Sequence, residues 1–576
     1  MRGVPFGVAV VALGLYLTGL GGAPFLDPPE GLHAEVARQM GVRHDWITPR
    51  INGVRYFDRP PLLYWLASAS FAALGPTPFA ARLWPALAAV GVAAVTARVG
   101  VVLGGARVGL LAGLMVAANL GFFVYGRLVR TDLVFILWLT LAFAGFAIAY
   151  RGGGRRGLLL FYASLGLAAL TRDILAAVAP VAVVALFFWL TRERPLAPWV
   201  PWWGVLLAAG IALPWYLAVE AGSRGFLWYT IVDNHALNLT RLRGFPDEAV
   251  PLSAGEFFVV TLLAFLPWAL ALPWALARAF RRPWDDATAR LWVLLALWGA
   301  LVIGLFTVSP FKLPHYAFAA FPALALLAAR AWDETIEGLP GSAAPRALLA
   351  PLLALFVLLA AAFGAVWAGA VRIPAQALML LDVAARNLAA RGGAVPEAPL
   401  DAWSPLVLRA AVIFAVASAG LAVAVWRRSA ALGVGVALAA TIAFLSVVAG
   451  EGMAQFVRAR SVRPLAAALG ERARPGDLVV HEGAIEDSAS ALMRLPGRVH
   501  VVNGLQSDLA FGSTFPDARD AFWDPTRLRA AWAAHGRHFL LSTVPPERSV
   551  VGSLPAGSVR LLAHAGGRWL YSNVAD

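Results

Sequence analysis

Cysteine is absent from this 576-residue chain, which excludes disulfides, thiolate metal sites and a cysteine nucleophile. Charge is scarce: Asp, Glu, Lys and Arg make up 14% of the residues, where an ordinary soluble domain carries about a quarter. Lysine is nearly missing as well. Lys312 is the single one, and every other basic position is arginine. No internal repeat is visible, and the only compositional bias is towards alanine and leucine. The C-terminal part has no glycine-rich turn opening a helix, so nucleotide binding has no support there.

Apolar residues fill the space that charge leaves. They make up 60% of the chain, with a mean hydropathy of +0.72, and runs of the ~20 residues needed to cross a bilayer recur along its length. The chain is a polytopic membrane protein. Hydropathy places thirteen spans near 4–22, 79–103, 108–125, 131–150, 157–171, 174–191, 199–219, 255–279, 290–308, 315–331, 348–371, 405–426 and 431–449. The N-terminal run has the form of a signal peptide, but with so many spans following it reads as a retained first helix.

The net charge of +14 does not mark a nucleic-acid partner. With the N-terminus inside, the basic residues fall in the short even-numbered connections: Arg107, Arg151, Arg155, Arg156, Arg192, Arg194, Arg278, Arg281, Arg282, Arg346, Arg427 and Arg428. This is the positive-inside pattern of a multi-pass membrane protein. The long connections 23–78, 220–254 and 372–404, and everything after residue 450, then face outward. Residues 1–450 are expected to form the transmembrane unit. Residues 453–576 alternate strand-like runs (DLVVHEG, RVHVVNG, HFLLSTV, RWLYSNV) with helical ones and predict a small outward α/β domain.

The first outward loop is the most polar stretch of the first half. Leu32, Val36 and Met40 recur every fourth residue, which predicts an interfacial amphipathic helix. Pro60-Pro61 opens LLYWLASASFAAL, a second juxtamembrane helix too short to span. Asp27 and Glu30 have two readings: a general base for an acceptor hydroxyl, or a capping box built on Asp27-Pro28-Pro29-Glu30. Asp58-Arg59 is either a metal- and phosphate-binding pair or a surface ion pair of little consequence. Asp132 with Arg127 and Arg130, and Arg172 with Asp173, read as the wall of a charged cavity rather than as snorkelling anchors. His235 is a ligand only if Asp58 meets it in space. Lys312, in SPFKLPHY, supplies a compact charge for a lipid phosphate.

Taken in order, PPEGLHAEVARQM, DWITPRINGVRYFDRPPLLYWL, GRLVRTDLVF, PWYLAV, the DNH of the outward loop and FKLPHY resemble the bacterial polyprenyl-phosphate-sugar-dependent glycosyltransferases of the integral-membrane GT-C class. That class includes the aminoarabinose transferases that modify lipid A and is related to protein O-mannosyltransferases. The resemblance implies a sugar carried on polyprenyl phosphate as donor and a glycolipid, glycan or protein as acceptor. It implies a divalent metal such as zinc held by Asp58 and His235. It puts Arg59 near the lipid phosphate and Lys312 and Tyr316 at the donor-lipid cavity, and makes Asp132 a functional acid; His315, Arg127, Arg130 and Arg172 are expected as further substrate-binding residues. One departure stands out. The family's catalytic Asp falls on Pro29 here and its Arg on Leu32, so Asp27 or Glu30 has to supply the base. The rival expectations are a lipid-linked-sugar transporter or a non-catalytic envelope scaffold on the same fold, and a ligase transferring a whole glycan from a polyprenyl diphosphate.

Overall fold

The computed structural model describes residues 3–240, 242–245, 251–374, 382–397, 400–495, 497–505, 507–555 and 557–574. All thirteen apolar segments contain helix. In chain order the first helices are α1 (Gly3–Leu17), α2 (Gly31–Arg43), α3 (Leu62–Leu74), α4 (Pro78–Ala117), α5 (Leu120–Tyr125), α6 (Asp132–Ile148), α7 (Gly154–Thr171), α8 (Ile174–Thr191) and α9 (Trp202–Gly222). Among the described residues, eight helices are long and apolar enough to cross a membrane, or nine if the pair Ala254–Ala264 and Trp268–Phe280, bent by 101°, is one span.

That number differs from the expected thirteen for identifiable reasons. Two of the eight, Pro78–Ala117 and Asp132–Thr171, are unbroken only by hydrogen-bond pattern. Gly105 has φ 89° inside α4, and a Cβ on Gly100 would lie 2.7 Å from the Cα of Gly109. Nine residues of straight helix would hold those positions ~13 Å apart, so α4 is a hairpin folded at Gly104-Gly105. The second reverses at Gly152 (φ 94°), which brings Gly145 against the backbone of Phe161. Meanwhile Gly3–Leu17 is short for a span, and Phe321–Glu337 ends in charged residues.

Residues 453–576 are not a separate bead. A mixed six-stranded sheet runs in the order β5-β4-β3-β6-β8-β7, from β3 (Leu478–Glu482), β4 (His500–Val502), β5 (Phe522–Trp523), β6 (His538–Ser542), β7 (Arg560–Ala565) and β8 (Arg568–Ser572). Four of these match strand-like runs in the sequence; β5 and β7 have weaker patterns. The sheet packs onto the first loop. Leu32, Val36, Met40, Ile51 and Val54 share one buried cluster with Leu465, Ile485, Val501 and Leu541. The hairpin of β1 (Arg50–Ile51) and β2 (Val54–Arg55) docks through Asn52, whose amide exchanges two hydrogen bonds with the Val499 backbone at 2.6 and 3.0 Å.

This packing corrects the expectation for α2. Its apolar stripe meets protein, and its polar face is buried too, including His33, Glu35 and Gln39. Nor does Asp27 cap the helix. Its carboxylate accepts from the backbone and hydroxyl of Ser490, across the seam to the C-terminal part.

Glu30 reaches back to the Leu26 N–H (2.9 Å) and accepts two bonds of 2.7 Å from Arg82 of α4. It also accepts from the Val129 N–H at 3.0 Å. The remaining Arg82 donors go to the carbonyls of Leu20, Ala23 and Pro24, so all five guanidinium N–H groups are used. Both side chains are buried, at 3% and 0% exposure.

Breaking a buried pair strands the partner's charge. Glu30→Gln is therefore expected to cost about 3–5 kcal/mol, read as a lowered unfolding temperature in detergent; a change within error would show that the clamp is dispensable. Asp27 gives a pH signature. Burial pushes its carboxyl from 3.8 up to about 7 against the opposing Ser490 hydrogen bonds. The folded value lies above the unfolded one, so its contribution to stability is complete below pH 3.8 and is lost as the pH rises through about 7. In Asp27→Asn that part of the stability–pH profile should flatten.

Candidate functional site

The charged residues gather at one end of the helix bundle because each sits at a helix terminus or in a connection there. Asp132 is the first residue of α6. Asp173 caps α8 by accepting from the Ala176 N–H at 2.8 Å. Arg172 precedes it, and His315 and Tyr316 lie in the short helix Pro314–Ala320. Asp58 and Arg59 follow β2, and the segment Trp228–Leu237 carries Asn234 and His235. Together they wall a cavity of about 570 Å³.

Asp132 is the electrostatic centre of one wall. It accepts from Arg130 Nε at 2.9 Å and Arg172 Nη1 at 2.8 Å, and His315 Nε2 is 3.5 Å away. Arg130 Nη2 also lies 3.3 Å from His315 Nε2. The other ring nitrogen, Nδ1, faces the Tyr125 hydroxyl at 3.2 Å. Arg172 lies over the Tyr316 ring at 5.0 Å. Asp132 thus has both oxygens committed to cations and holds them in place.

Asp58 is less committed. Its partners are Arg59 at 3.2 Å and the Tyr56 hydroxyl at 3.3 Å, and 26% of its side chain is exposed. Behind it, the buried Tyr64 hydroxyl meets His33 Nδ1 at 2.9 Å. Burial first, then the cations Arg130 and Arg59, push the His33 imidazole down to about 3 and keep it neutral.

The other expected site residues divide. Asp58, Arg59, Asp132, Arg172, His235, His315 and Tyr316 line the cavity, and Arg130 reaches it through Asp132. Lys312 is buried but is not among the residues that line the cavity. Arg127 points elsewhere: its guanidinium donates to the Leu15 and Tyr16 carbonyls at the end of α1. Asp27 and Glu30 do not line the cavity; both oxygens of each are held at the seam and in the Arg82 clamp.

Asp58 and His235 line the same cavity, but His235 comes within ion-pair distance of Asp173 (4.0 Å) and not of Asp58. Among the described residues no group of three His, Asp or Glu side chains converges to hold a metal. The donor set as arranged does not fit a resident metal ion.

Sequence reasoning passed over Arg243, which pairs with Asp233 at 3.3 Å and lines the cavity with Thr230 and Asn238. The only signal was its place in the basic TRLRG run. Apolar side chains continue the cavity into the bundle: Leu139 and Phe143 of α6, Val183 of α8, and Leu301 and Val302 of the helix Ala287–Val308.

Residues 33–230 match the family model described as dolichyl-phosphate-mannose-protein mannosyltransferase. An undecaprenyl phosphate-alpha-4-amino-4-deoxy-L-arabinose arabinosyl transferase of Pseudomonas aeruginosa is 31% identical over 423 residues, covering 72% of this chain and 75% of that protein. One from Aeromonas salmonicida is 31% identical over 56% of this chain and 59% of its own length. The crystal structure of ArnT from Cupriavidus metallidurans bound to undecaprenyl phosphate superimposes with a TM-score of 0.79 at 23% identity, covering 99% of this chain and 98% of the other. That likeness shows the same fold. Identity of this level over three quarters of the first relative decides the family: the chain belongs to the undecaprenyl-phosphate aminoarabinose transferases, GT-C enzymes that take a sugar from a polyprenyl phosphate.

Proposed function

We propose that the protein moves a sugar from a polyprenyl-phosphate donor to a hydroxyl or phosphate of an acceptor, at the outer face of the bacterial cytoplasmic membrane and with inversion at the anomeric carbon. One observation carries the reading: the cavity is amphiphilic along its length. Arg59, Arg172 and Asp132 stand at one end, and a lane of apolar side chains between α6, α8 and the helix Ala287–Val308 continues from them. A phosphate headgroup on a long hydrocarbon tail has that same polarity. The outward assignment rests on the basic short connections at the other end of the helices, and residues 453–576 then form an extracytoplasmic α/β domain seated on the first loop. The relatives act on an aminoarabinose donor, and an aminopentose is the donor class proposed here.

The chemistry divides among the walls. The acceptor's oxygen attacks C1 of the sugar from the face opposite the phosphate while a carboxylate takes its proton. The C1–O bond breaks, and polyprenyl phosphate leaves with the electron pair. Arg59 and Arg172 offset the charge developing on the leaving oxygen. The base requires a carboxylate with a free lone pair at the cavity surface. Each oxygen of Asp132 is held by an arginine, and Asp27 and Glu30 are sealed away; of the two that keep an oxygen open, Asp173 caps α8 and is 19% exposed, against 26% for Asp58. Asp58 fits best, and the role expected of Asp27 or Glu30 passes to it.

The test uses the purified chain in lipid nanodiscs with a polyprenyl-phosphate sugar and an acceptor extract, following release of free polyprenyl phosphate. Asp58→Asn should slow release by about 10²–10⁴-fold without loss of donor binding, whereas Asp27→Asn should retain turnover at a single pH. Full activity in Asp58→Asn would move the base elsewhere. Donor binding without release by the unmutated protein would favour a transporter or scaffold. Arg172→Ala is expected to impair both donor binding and turnover, because it frees Asp132 as well as removing a phosphate partner.

A further inference from the structure

A second concavity, of about 970 Å³, lies on the other side of α8. Ala176, Ala179, Pro180 and Val183 face the charged cavity, whereas Ala177, Val178, Val181 and Ala185 face this groove. The helix therefore separates two compartments. Helix α7 supplies the floor through Tyr162, Leu165 and Ala169, and α9 the second wall through Val205, Ala209 and Leu213.

The groove follows α8 from Ile174 to Arg192, which at 1.5 Å per residue is ~27 Å, close to the thickness of a bilayer's hydrocarbon core. Its walls are apolar and open to the lipid: Val178, Val181, Val205 and Leu213 are 44–50% exposed.

Only one end is polar, and it is the end of α8 opposite Asp173. Arg192, Glu193 and Arg194 line it. Glu193 is neutralised within the protein by Arg290 at 2.5 Å and by the Tyr150 hydroxyl. Arg192 and Arg194 are exposed and make no ion pair among the described residues. Trp189 and Trp202, each 75% exposed, stand at the same level, where indoles settle at a membrane–water boundary. The end of the groove thus carries two uncompensated cations between splayed helices, above an apolar slot.

We infer that this groove binds an anionic glycerophospholipid of the leaflet opposite the charged cavity, its phosphate between Arg192 and Arg194 and its acyl chains between α8 and α9. Basic pockets between spanning helices recognise anionic headgroups in this way. The inference does not depend on the transfer reaction.

The full chain would be reconstituted in nanodiscs of equal dioleoylphosphatidylglycerol and dioleoylphosphatidylcholine, and the lipid retained after gentle delipidation counted by native mass spectrometry. The unmutated protein should retain the anionic lipid about tenfold over the zwitterionic one. Arg192→Ala with Arg194→Ala should bring the ratio to within twofold of unity. Arg427→Ala with Arg428→Ala, in a basic connection that does not line the groove, should leave it unchanged. Ala209→Trp, which fills the slot, should lower retention of the anionic lipid with the arginines intact. Equal retention in the unmutated protein and the Arg192/Arg194 variant would overturn the proposal. So would displacement of phosphatidylglycerol from these arginines by equimolar polyprenyl phosphate.

Discussion

The Glu30–Arg82 clamp is the contact on which the rest of the site depends. It joins four pieces of chain: the segment after α1 through the Leu20 and Ala23 carbonyls, the start of α2, the start of α4, and the Val129 amide. Val129 is three residues before Asp132, so the clamp fixes the register of the segment that delivers the central carboxylate to the cavity. A buried ion pair holds its place only where every lone pair and proton is satisfied, and here each N–H of the guanidinium has an acceptor. The acid that opens PPEGLH therefore acts on architecture.

The cavity combines two kinds of carboxylate. Asp132 is surrounded by Arg130, Arg172 and His315 and serves to hold positive charge in position for a phosphate. Asp58 has one arginine, one phenol and an open face. Each oxygen of Asp132 is engaged by an arginine, whereas both contacts of Asp58 fall on Oδ2 and leave Oδ1 open. The polar side chains of α2 are spent locally, His33 on Tyr64, Glu35 on Arg38 and Gln39, and Gln39 on the Gly53 N–H, and none of them lines the cavity.

The C-terminal sheet covers one face of the first loop. Asp27 reaches Ser490, Asn52 reaches Val499, and Arg50 and Arg55 share Asp517. Through these contacts the sheet stabilises the loop that carries Asp58 and Arg59. This explains why so polar a stretch is buried on both faces.

Much of this was written in the chain. Apolar length alone determined the membrane class, the glycine turns at Gly105 and Gly152 lie where hydropathy dips, and the alternation of strand-like and helical runs after residue 453 gave four of six strands. The residue types and order in RYFDRPP, GRLVRTD and FKLPHY pointed to Asp58, Asp132 and Tyr316, all of which line the cavity. Sequence could not tell a base from a clamp at Glu30, because that depends on whether Arg82, fifty-two residues away, folds onto it. Nor could it tell an interfacial helix from a buried one at α2, since an apolar stripe looks the same whether it meets lipid or a sheet more than four hundred residues along. Local pattern sets which elements form. Which of their charges are spent on each other, and which remain for a substrate, was decided only by tertiary contacts that no spacing encodes.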